Sequence, residues 1–315
     1  MKKTLLTIII LAAFIISGCQ SEPSVYARIG ENEISKDSFD QYMLLTKISY
    51  DLSQAEMPQS GEGLETLKKN ILDNMVEGAV LVESAGKLGI EIDEEQALQE
   101  AESLLEMVLE SYGEDDYQKL LDEYRIDRND FEDFVKKLSA DNQMIYALYE
   151  RVTEGVEASE EEAYRHYEEN IRVYNYSTVH AKGFVFTASN TGEEVQAKLE
   201  SDEMSMDEAI EAYREDKNVL YADDFGPLYF TDMAEDFAEE LFDAGIGDFT
   251  GLVESEGLYY LGYVYSRDDM EPAAFEEVES TVYERVLSLK RNEAYEEFFL
   301  QEKESYEIEV YYDKL

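Results

Sequence analysis

Apolar positions along the chain follow a helical spacing over two long stretches and alternate over several short ones. Between residues 35 and 170, and again between 271 and 305, apolar side chains recur three or four positions apart, which predicts amphipathic helices. Residues that commonly cap helices precede four of these predicted helices: Ser35, Asp93, Asp127 and Ser159. We therefore expect an all-helical block whose helices share a core.

Two alternating runs, at residues 25–29 and 306–312, predict short strands near the two ends of the chain. Residues 30–33 are predicted to form the turn after the first strand. A lone strand leaves its backbone hydrogen-bonding groups unpaired. We therefore expect the two terminal strands to pair with each other.

The stretch from residue 179 to residue 265 has a different pattern. An alternating run at 179–186 is followed by two amphipathic helical stretches and the turn Asp223-Asp224-Phe225-Gly226. A helix carrying Met233 and Phe237 comes next, and two strands at 249–253 and 258–265 close the stretch. The order β-α-α-β-α-β-β predicts a small α+β module with a four-stranded antiparallel sheet.

Charge and composition limit the functions open to the chain. It has 315 residues and a formal net charge of −48, from 26 basic and 74 acidic side chains, which argues against nucleic-acid binding. One cysteine and two histidines argue against a disulfide, a cysteine metal cluster and a zinc site. We identify no dinucleotide fingerprint or phosphate-binding loop, and we expect no metal and no cofactor.

The first nineteen residues have the pattern of an export signal. Lys2 and Lys3 precede an apolar run at residues 5–16, which is shorter than the ~20 residues of a membrane-spanning helix. Ile16-Ser17-Gly18-Cys19 then resembles the lipobox of bacterial lipoproteins. We expect lipid attachment at Cys19; the alternative is an ordinary secretory signal with an incidental cysteine.

Three motifs carry a resemblance to a known family. They are Ala-Arg-Ile-Gly-Glu-Asn-Glu-Ile-Ser-Lys-Asp-Ser-Phe at 27–39, Ala-Gly-Lys-Leu-Gly-Ile-Glu-Ile-Asp-Glu-Glu at 85–95 and Ala-Ser-Glu-Glu-Glu-Ala-Tyr-Arg-His-Tyr-Glu-Glu-Asn at 158–170. In order and spacing they resemble the SurA/PrsA family of extracytoplasmic chaperones, and the central stretch resembles a parvulin, a small peptidyl-prolyl isomerase.

The resemblance implies an α+β fold, in which a mainly helical SurA-like chaperone domain carries an inserted parvulin-like domain. The expected boundaries are 1–19 for the lipoprotein signal, 20–175 for the first part of the chaperone domain, 176–268 for the parvulin-like domain, and 269–315 for the helix and strand that complete the chaperone domain.

The same resemblance implies which residues form the site. Phe225, Met233 and Phe237 match the apolar floor of a proline pocket, and Asp216 matches the acidic or cysteine position of the catalytic site. The alternative is that Met233 and Phe237, four residues apart, are simply core residues of one helix.

Two histidines that are typical of parvulins are absent, because Gly183 and Tyr259 stand at the matching positions. Tyr259 can still donate a hydrogen bond and is counted among the substrate-binding residues. His180 lies an odd number of positions from Gly183, so it should face the other side of the strand. We expect weak or no isomerase activity.

The favoured hypothesis is a chaperone or foldase, lipid-anchored on the extracytoplasmic face of a bacterial membrane, that binds unfolded or folding secreted polypeptides. A second hypothesis is an active parvulin-type isomerase, and a third is an envelope scaffold without clients. The sequence leaves a homodimer open.

Overall fold

The computed structural model describes residues 25–315, which divide into two units. One unit is the described part of Met1–Gly155 together with Asn292–Leu315, and the other is Val156–Arg291. The expected lipid-attachment residue Cys19 and the export signal lie outside the described residues. The domain boundaries expected from the sequence stay a prediction.

The described residues form ten α-helices and seven β-strands. The helices are α1 (Lys36–Leu52), α2 (Gly61–Lys87), α3 (Glu94–Tyr112), α4 (Glu114–Tyr124), α5 (Arg128–Thr153), α6 (Glu160–Glu169), α7 (Ser189–Glu200), α8 (Met206–Tyr213), α9 (Glu235–Asp243) and α10 (Phe275–Ser305). The strands are β1 (Val25–Ile29), β2 (Asn32–Ser35), β3 (Thr178–Phe186), β4 (Val219–Leu228), β5 (Val253–Ser255), β6 (Leu258–Asp268) and β7 (Ile308–Val310). Each helix from residue 25 onwards falls short of the length and apolar content that a bilayer span requires.

The first unit contains a three-stranded sheet that joins the two ends of the described chain. Its order is β2-β1-β7, and Ala27 lies opposite Val310 while Ile29 lies opposite Ile308. The pairing of the terminal strands is therefore confirmed. The sequence pattern missed β2, because residues 30–33 were expected to be only a turn, whereas Asn32–Ser35 forms the second strand of a hairpin.

Helix capping follows the sequence in both units. The Ser35 hydroxyl accepts the amide hydrogen of Ser38, and the Asp93 carboxylate accepts the amide hydrogens of Glu95 and Gln96. In α6, Ser159 and Glu162 form a capping box.

The second unit is built on an antiparallel sheet with the strand order β4-β3-β6-β5. Phe184, Phe186 and Leu261 are buried on one face against α7 and α8. Val179 and Val264 are buried on the other face, against α9. The predicted four-stranded antiparallel sheet is confirmed, and its central strands β3 and β6 are covered on both faces.

Several boundaries in this unit differ from the sequence prediction. The segment Asp223-Asp224-Phe225-Gly226 lies inside β4 and is not a separate turn. Phe249 makes only an isolated bridge to Tyr263, and the strand that pairs with β6 is Val253–Ser255. Helix α10 begins at Phe275, four residues after the predicted start.

Met233 is not on the helix that carries Phe237, so that prediction is wrong. The side chain of Asp232 accepts the backbone amide hydrogen of Tyr229 and closes a short 3₁₀ turn. This local bond competes with α-helix formation. Met233 then has extended backbone angles, and α9 begins only at Glu235.

Candidate functional site

Four aromatic side chains form a continuous row on the face of the sheet that α9 covers. Tyr221 stacks on Phe225 with ring centroids 5.3 Å apart, and Phe225 meets Phe237 edge-to-face at 6.2 Å. Phe237 in turn stacks on Tyr260 at 5.1 Å. We call Tyr221, Phe225, Phe237 and Tyr260 the aromatic row. The four side chains differ in exposure: Tyr221 is 41% exposed, Phe225 and Tyr260 are half-buried, and Phe237 is 2% exposed.

A β-bulge in β4 presents the Phe225 ring to this row. Ala181 lies opposite Gly226, but the next residue, Lys182, lies opposite Asp224. Phe225 is therefore an extra residue with no partner on β3. Gly226 has φ +75°, a conformation that glycine adopts without steric cost.

Hydrogen bonds from two tyrosines hold the bulge. The Asp224 carboxylate accepts the amide hydrogen of Gly226 at 2.7 Å and the Tyr265 hydroxyl at 2.9 Å. The Tyr221 hydroxyl donates to the Asp224 carbonyl oxygen at 2.9 Å. Burial, followed by the hydrogen bond to Asp224, raises the pKa of Tyr265, so its phenol stays protonated as a donor.

Strands β3 and β6 pair through two glycines next to the aromatic row. Gly183 lies opposite Gly262. A Cβ atom on Gly183 would lie 2.0 Å from the Leu261 carbonyl oxygen, and a Cβ on Gly262 would lie 2.7 Å from Leu241 and 3.1 Å from Phe237. Neither position accepts a side chain without movement of the backbone or the core. This part of the floor is therefore backbone and offers no polar side chain.

The structure brings together three of the residues that the sequence proposed for a proline pocket. Phe225 and Met233 are half-buried and pack against the buried cluster that contains Phe237. Since Met233 reaches the cluster from an extended segment, the alternative of two core residues on one helix does not describe it.

Tyr259 does not join these residues. It lies opposite Phe186 and packs against the cluster on the α7 and α8 face. The neighbouring residue Tyr260 points to the α9 face and stacks on Phe237. The predicted grouping of Tyr259 with the proline pocket is therefore corrected in favour of Tyr260.

Asp216 lies in the turn between α8 and β4, where its exposed carboxylate accepts the amide hydrogen of Asn218. The described contacts tie it to that turn and not to the aromatic row. His180 packs against the Tyr265 ring, with centroids 5.9 Å apart. His180 is not part of the buried cluster on the α9 face. This agrees with the prediction that His180 and Gly183 face opposite sides of the strand.

Sequence reasoning missed Tyr221, Tyr260 and Tyr265 as contributors to the site. The signal for the first was its spacing four residues before Phe225. The signal for Tyr260 was the alternation of β6, in which Tyr260 and Gly262 share a face, and this alternation does not indicate Tyr265. That alternation has no clear phase in the sequence, because apolar and aromatic residues occupy both faces of β6.

The electrostatic surroundings of the row are negative. Lys217 is the single basic residue between residues 215 and 266, a segment rich in aspartate and glutamate. Asp223, next to the bulge, is exposed and lies 3.9 Å from Arg214. Over residues 25–315, no group of three or more histidine, cysteine, aspartate or glutamate side chains is arranged to hold a metal ion.

Comparison with known proteins identifies two consecutive family models. Residues 1–145 match the SurA-like N-terminal domain, and residues 158–280 match the PPIC-type peptidyl-prolyl isomerase domain. The foldase protein PrsA of Clostridium perfringens strain SM101 is 23% identical over 279 residues, covering 85% of this chain and 80% of that protein. PrsA of Clostridium tetani is 20% identical over 328 residues, covering 98% and 95%.

Solved structures of the same description also match at low similarity. A SurA-like chaperone of Campylobacter jejuni has 14% identity and a TM-score of 0.41, covering 91% of this chain and 99% of that one. PrsA of Bacillus anthracis has 15% identity and a TM-score of 0.37, covering 75% and 96%.

The two matched models define a class of protein in which a SurA-like domain is followed by a parvulin-type domain. With the similarity to the PrsA proteins over most of both chains, this chain is a SurA/PrsA-like foldase with a parvulin domain.

Proposed function

We propose that the protein is a lipid-anchored, extracytoplasmic chaperone that holds secreted polypeptides through proline-containing segments, with weak or no isomerase activity. The aromatic row carries this proposal, because it combines exposed and buried rings on one face of the parvulin-type sheet. Aromatic faces bind apolar rings such as proline with large contact area and little loss of side-chain entropy.

The residues that surround the aromatic row are better suited to binding a peptide than to catalysing its isomerisation. Isomerisation must lower a barrier of about 18–20 kcal/mol for rotation of the peptide bond. Contacts that bind the substrate and the transition state equally well do not raise the rate of the chemical step. Gly183 contributes backbone only, and the Asp216 carboxylate accepts the amide hydrogen of Asn218 within its own turn. No polar side chain from these two positions is available to favour the twisted amide.

Charge indicates which client segments fit. The segment 215–266, which contains all four residues of the row, has one basic residue among many acidic ones. Such a surface attracts basic segments and repels acidic ones, and salt screens both effects. Neutral or basic proline-containing segments of unfolded secreted proteins are therefore the proposed partners.

The proposed location depends on the N-terminal sequence and on the relatives. The lipobox-like Ile16-Ser17-Gly18-Cys19 would give Cys19 a diacylglycerol group, with a further acyl chain where one is added. Metabolic labelling with an alkyne fatty acid tests this: label is expected on the full chain and not on Cys19→Ala. Label on both proteins would leave the anchor without support.

Two assays on the full mature chain test the function. The first measures suppression of aggregation of reduced lysozyme, a basic unfolded protein, and the second measures isomerisation of a tetrapeptide with a central Ala–Pro bond. Tyr221→Ala should weaken protection about fivefold, because stacked aromatic contacts are worth ~1 kcal/mol. Leu220→Ala is the matched control, since Leu220 is 64% exposed on the adjacent position of the same strand.

The second candidate function is an active isomerase, which is favoured only by the match to the PPIC-type model. An isomerisation rate above background that falls in Phe237→Ala would establish that candidate over the proposal. An absence of both protection and isomerisation would favour the scaffold hypothesis instead.

A further inference from the structure

Five polar groups converge on the bulge that presents Phe225, and they form hydrogen bonds that are separate from the ring contacts of the aromatic row. The Asp224 carboxylate receives the Gly226 amide hydrogen and the Tyr265 hydroxyl, while the Asp224 carbonyl oxygen receives the Tyr221 hydroxyl. We call Asp224 and the two tyrosine hydroxyls the polar clamp.

The geometry of the clamp has a direct consequence for Phe225. A bulged residue lacks the strand pairing that fixes its neighbours, so its direction depends on other contacts. The bond from Gly226 to the Asp224 carboxylate spans Phe225 and closes a turn around it. The Tyr221 hydroxyl bond fixes the ring that stacks on Phe225.

Tyr265 is the member of the clamp that comes from a different strand. It belongs to β6, whereas Asp224 belongs to β4, and β3 lies between these strands. Its hydroxyl lies 2.9 Å from both carboxylate oxygens of Asp224. The His180 ring on β3 packs against the Tyr265 ring and supports its position. The clamp therefore joins β4 to β6 across β3.

We propose that Asp224 and Tyr265 are positioning residues that hold the β4 bulge so that the Phe225 ring stays in the aromatic row and can receive a proline ring. Neither residue needs to touch the ligand. Removing the clamp leaves Phe225 in the chain but frees its direction, so affinity falls while the global fold is kept. The inference deepens the proposed function and depends on it for the ligand.

The test compares variants of the full mature chain with a fluorescently labelled proline-rich peptide as probe. Tyr265→Phe removes one hydroxyl and keeps the ring against His180. It should weaken the peptide affinity about tenfold, the lower end for the loss of one hydrogen bond to a charged group. Tyr263→Phe is the matched control, because Tyr263 lies two residues earlier on β6 and packs its ring against the α7 and α8 cluster, while its hydroxyl takes no part in the clamp. Its affinity should stay within about twofold of the wild type.

A second pair of variants separates positioning from loss of fold. Asp224→Asn keeps an oxygen that can accept the Gly226 and Tyr265 hydrogens, whereas Asp224→Ala removes the acceptor. Asp224→Asn should therefore recover most of the affinity that Asp224→Ala loses. The Gly226 amide proton resonance should move upfield in Asp224→Ala and stay near its wild-type position in Asp224→Asn. Urea denaturation midpoints report whether the variants remain folded.

The outcomes distinguish this inference from the proposed function. Equal affinity of Tyr265→Phe and Tyr263→Phe, or an unmoved Gly226 resonance in Asp224→Ala, overturns the clamp. If the wild type itself does not bind the peptide, the proposed function fails. In that case the clamp is tested by the Gly226 amide resonance and by the Gly226 amide exchange rate, because the Asp224 carboxylate accepts that hydrogen. The exchange rate should rise in Tyr265→Phe and in Asp224→Ala but not in Tyr263→Phe.

Discussion

The ring of Tyr260 stacks on the ring of Phe237, with centroids 5.1 Å apart and an interplanar angle of 25°. The next residue back along the strand, Tyr259, faces the opposite side of the sheet and packs near Phe186. Two adjacent tyrosines thus have unrelated surroundings, and only one of them belongs to the candidate site. This pair allows a direct test of which face binds proline.

Tyr260→Leu should weaken binding of a proline-containing peptide about tenfold, since it removes an aromatic partner worth ~1.5 kcal/mol at the upper end of measured pairs. The change keeps an apolar side chain on the strand. Peptide affinity is measured by fluorescence anisotropy at constant salt.

The control for this experiment is Tyr259→Leu, which makes the same change one residue away. We expect it to alter stability but to change the affinity of the folded protein by less than about twofold. If Tyr259→Leu lost more affinity than Tyr260→Leu, the α9 face would not be the binding surface.

Restoring a histidine at position 183 should not restore activity. A Cβ on Gly183 would lie 2.0 Å from the Leu261 carbonyl oxygen, so Gly183→His must push β3 and β6 apart. We expect a loss of at least about 2 kcal/mol in the free energy of unfolding, as for overpacked sites. Urea denaturation measures the loss, and the peptide assay should show no gain in isomerisation.

Gly78→Ala provides the comparison, because Gly78 lies inside α2 and an added Cβ meets no atom within 4 Å. Alanine at a helix interior is expected to stabilise the protein by about 0.5–1 kcal/mol relative to glycine. A folded, isomerisation-competent Gly183→His variant would contradict our account of the missing imidazole.

The pairing of the terminal strands should dominate the stability of the first unit. Ile29 is 0% exposed and lies opposite Ile308. Ile29→Ala should therefore cost about 3 kcal/mol of unfolding free energy, through lost burial and a residual cavity.

Arg28→Ala tests the specificity of that effect. Its side chain is 48% exposed and pairs with Glu33 at 2.9 Å, an arrangement worth about 0–1 kcal/mol. Comparable losses in both variants, measured by urea denaturation followed by circular dichroism, would argue against a buried role for Ile29.

The capping box of α6 should make stability depend on acid pH. The hydrogen bond from Lys290, and then those from Ser159, lower the pKa of Glu162 from the ordinary value of 4.5 to about 2. Because the folded pKa is depressed, the contribution of the carboxylate is complete above 4.5 and is lost as the pH falls towards 2. The wild type should therefore exceed Glu162→Gln in stability at pH 7, by an amount that shrinks below pH 4.5.

The measurement is the difference between wild-type and variant urea midpoints at a series of pH values. Taking the difference removes the effect of the many other carboxyl groups that titrate in the same range. Glu161→Gln neutralises an exposed neighbour in the same helical turn and serves as the control. A wild-type advantage that grew as the pH fell would contradict the assigned hydrogen bonds.

The sequence predicted those features that depend on local chemistry. The caps at Ser35, Asp93, Asp127 and Ser159 are present because a side-chain oxygen satisfies nearby amide hydrogens without help from distant residues. The pairing of β1 with β7 followed from the need to satisfy the backbone of two isolated strands.

Features that depend on long-range contacts were harder to predict. The phase of β6 is set by the two-residue turn at Glu256 and Gly257, both with positive φ, and not by alternation. The position of Met233 depends on one hydrogen bond, from the Tyr229 amide to the Asp232 carboxylate, which ends the local helix pattern. The sequence of β2 is polar and has a weak strand propensity, so no strand was predicted there. Pairing with the buried strand β1 outweighs that weak propensity.

The meeting of β1 and β7 in one sheet also governs the order in which the protein is able to mature. Almost three hundred residues separate Ala27 from Val310, and both are required to complete that sheet. A chain that emerges from its amino end first must keep β1 without one neighbour until the last residues arrive. The amino-terminal unit therefore cannot close during synthesis, and any truncated product would carry an open strand edge that marks it for aggregation or proteolysis.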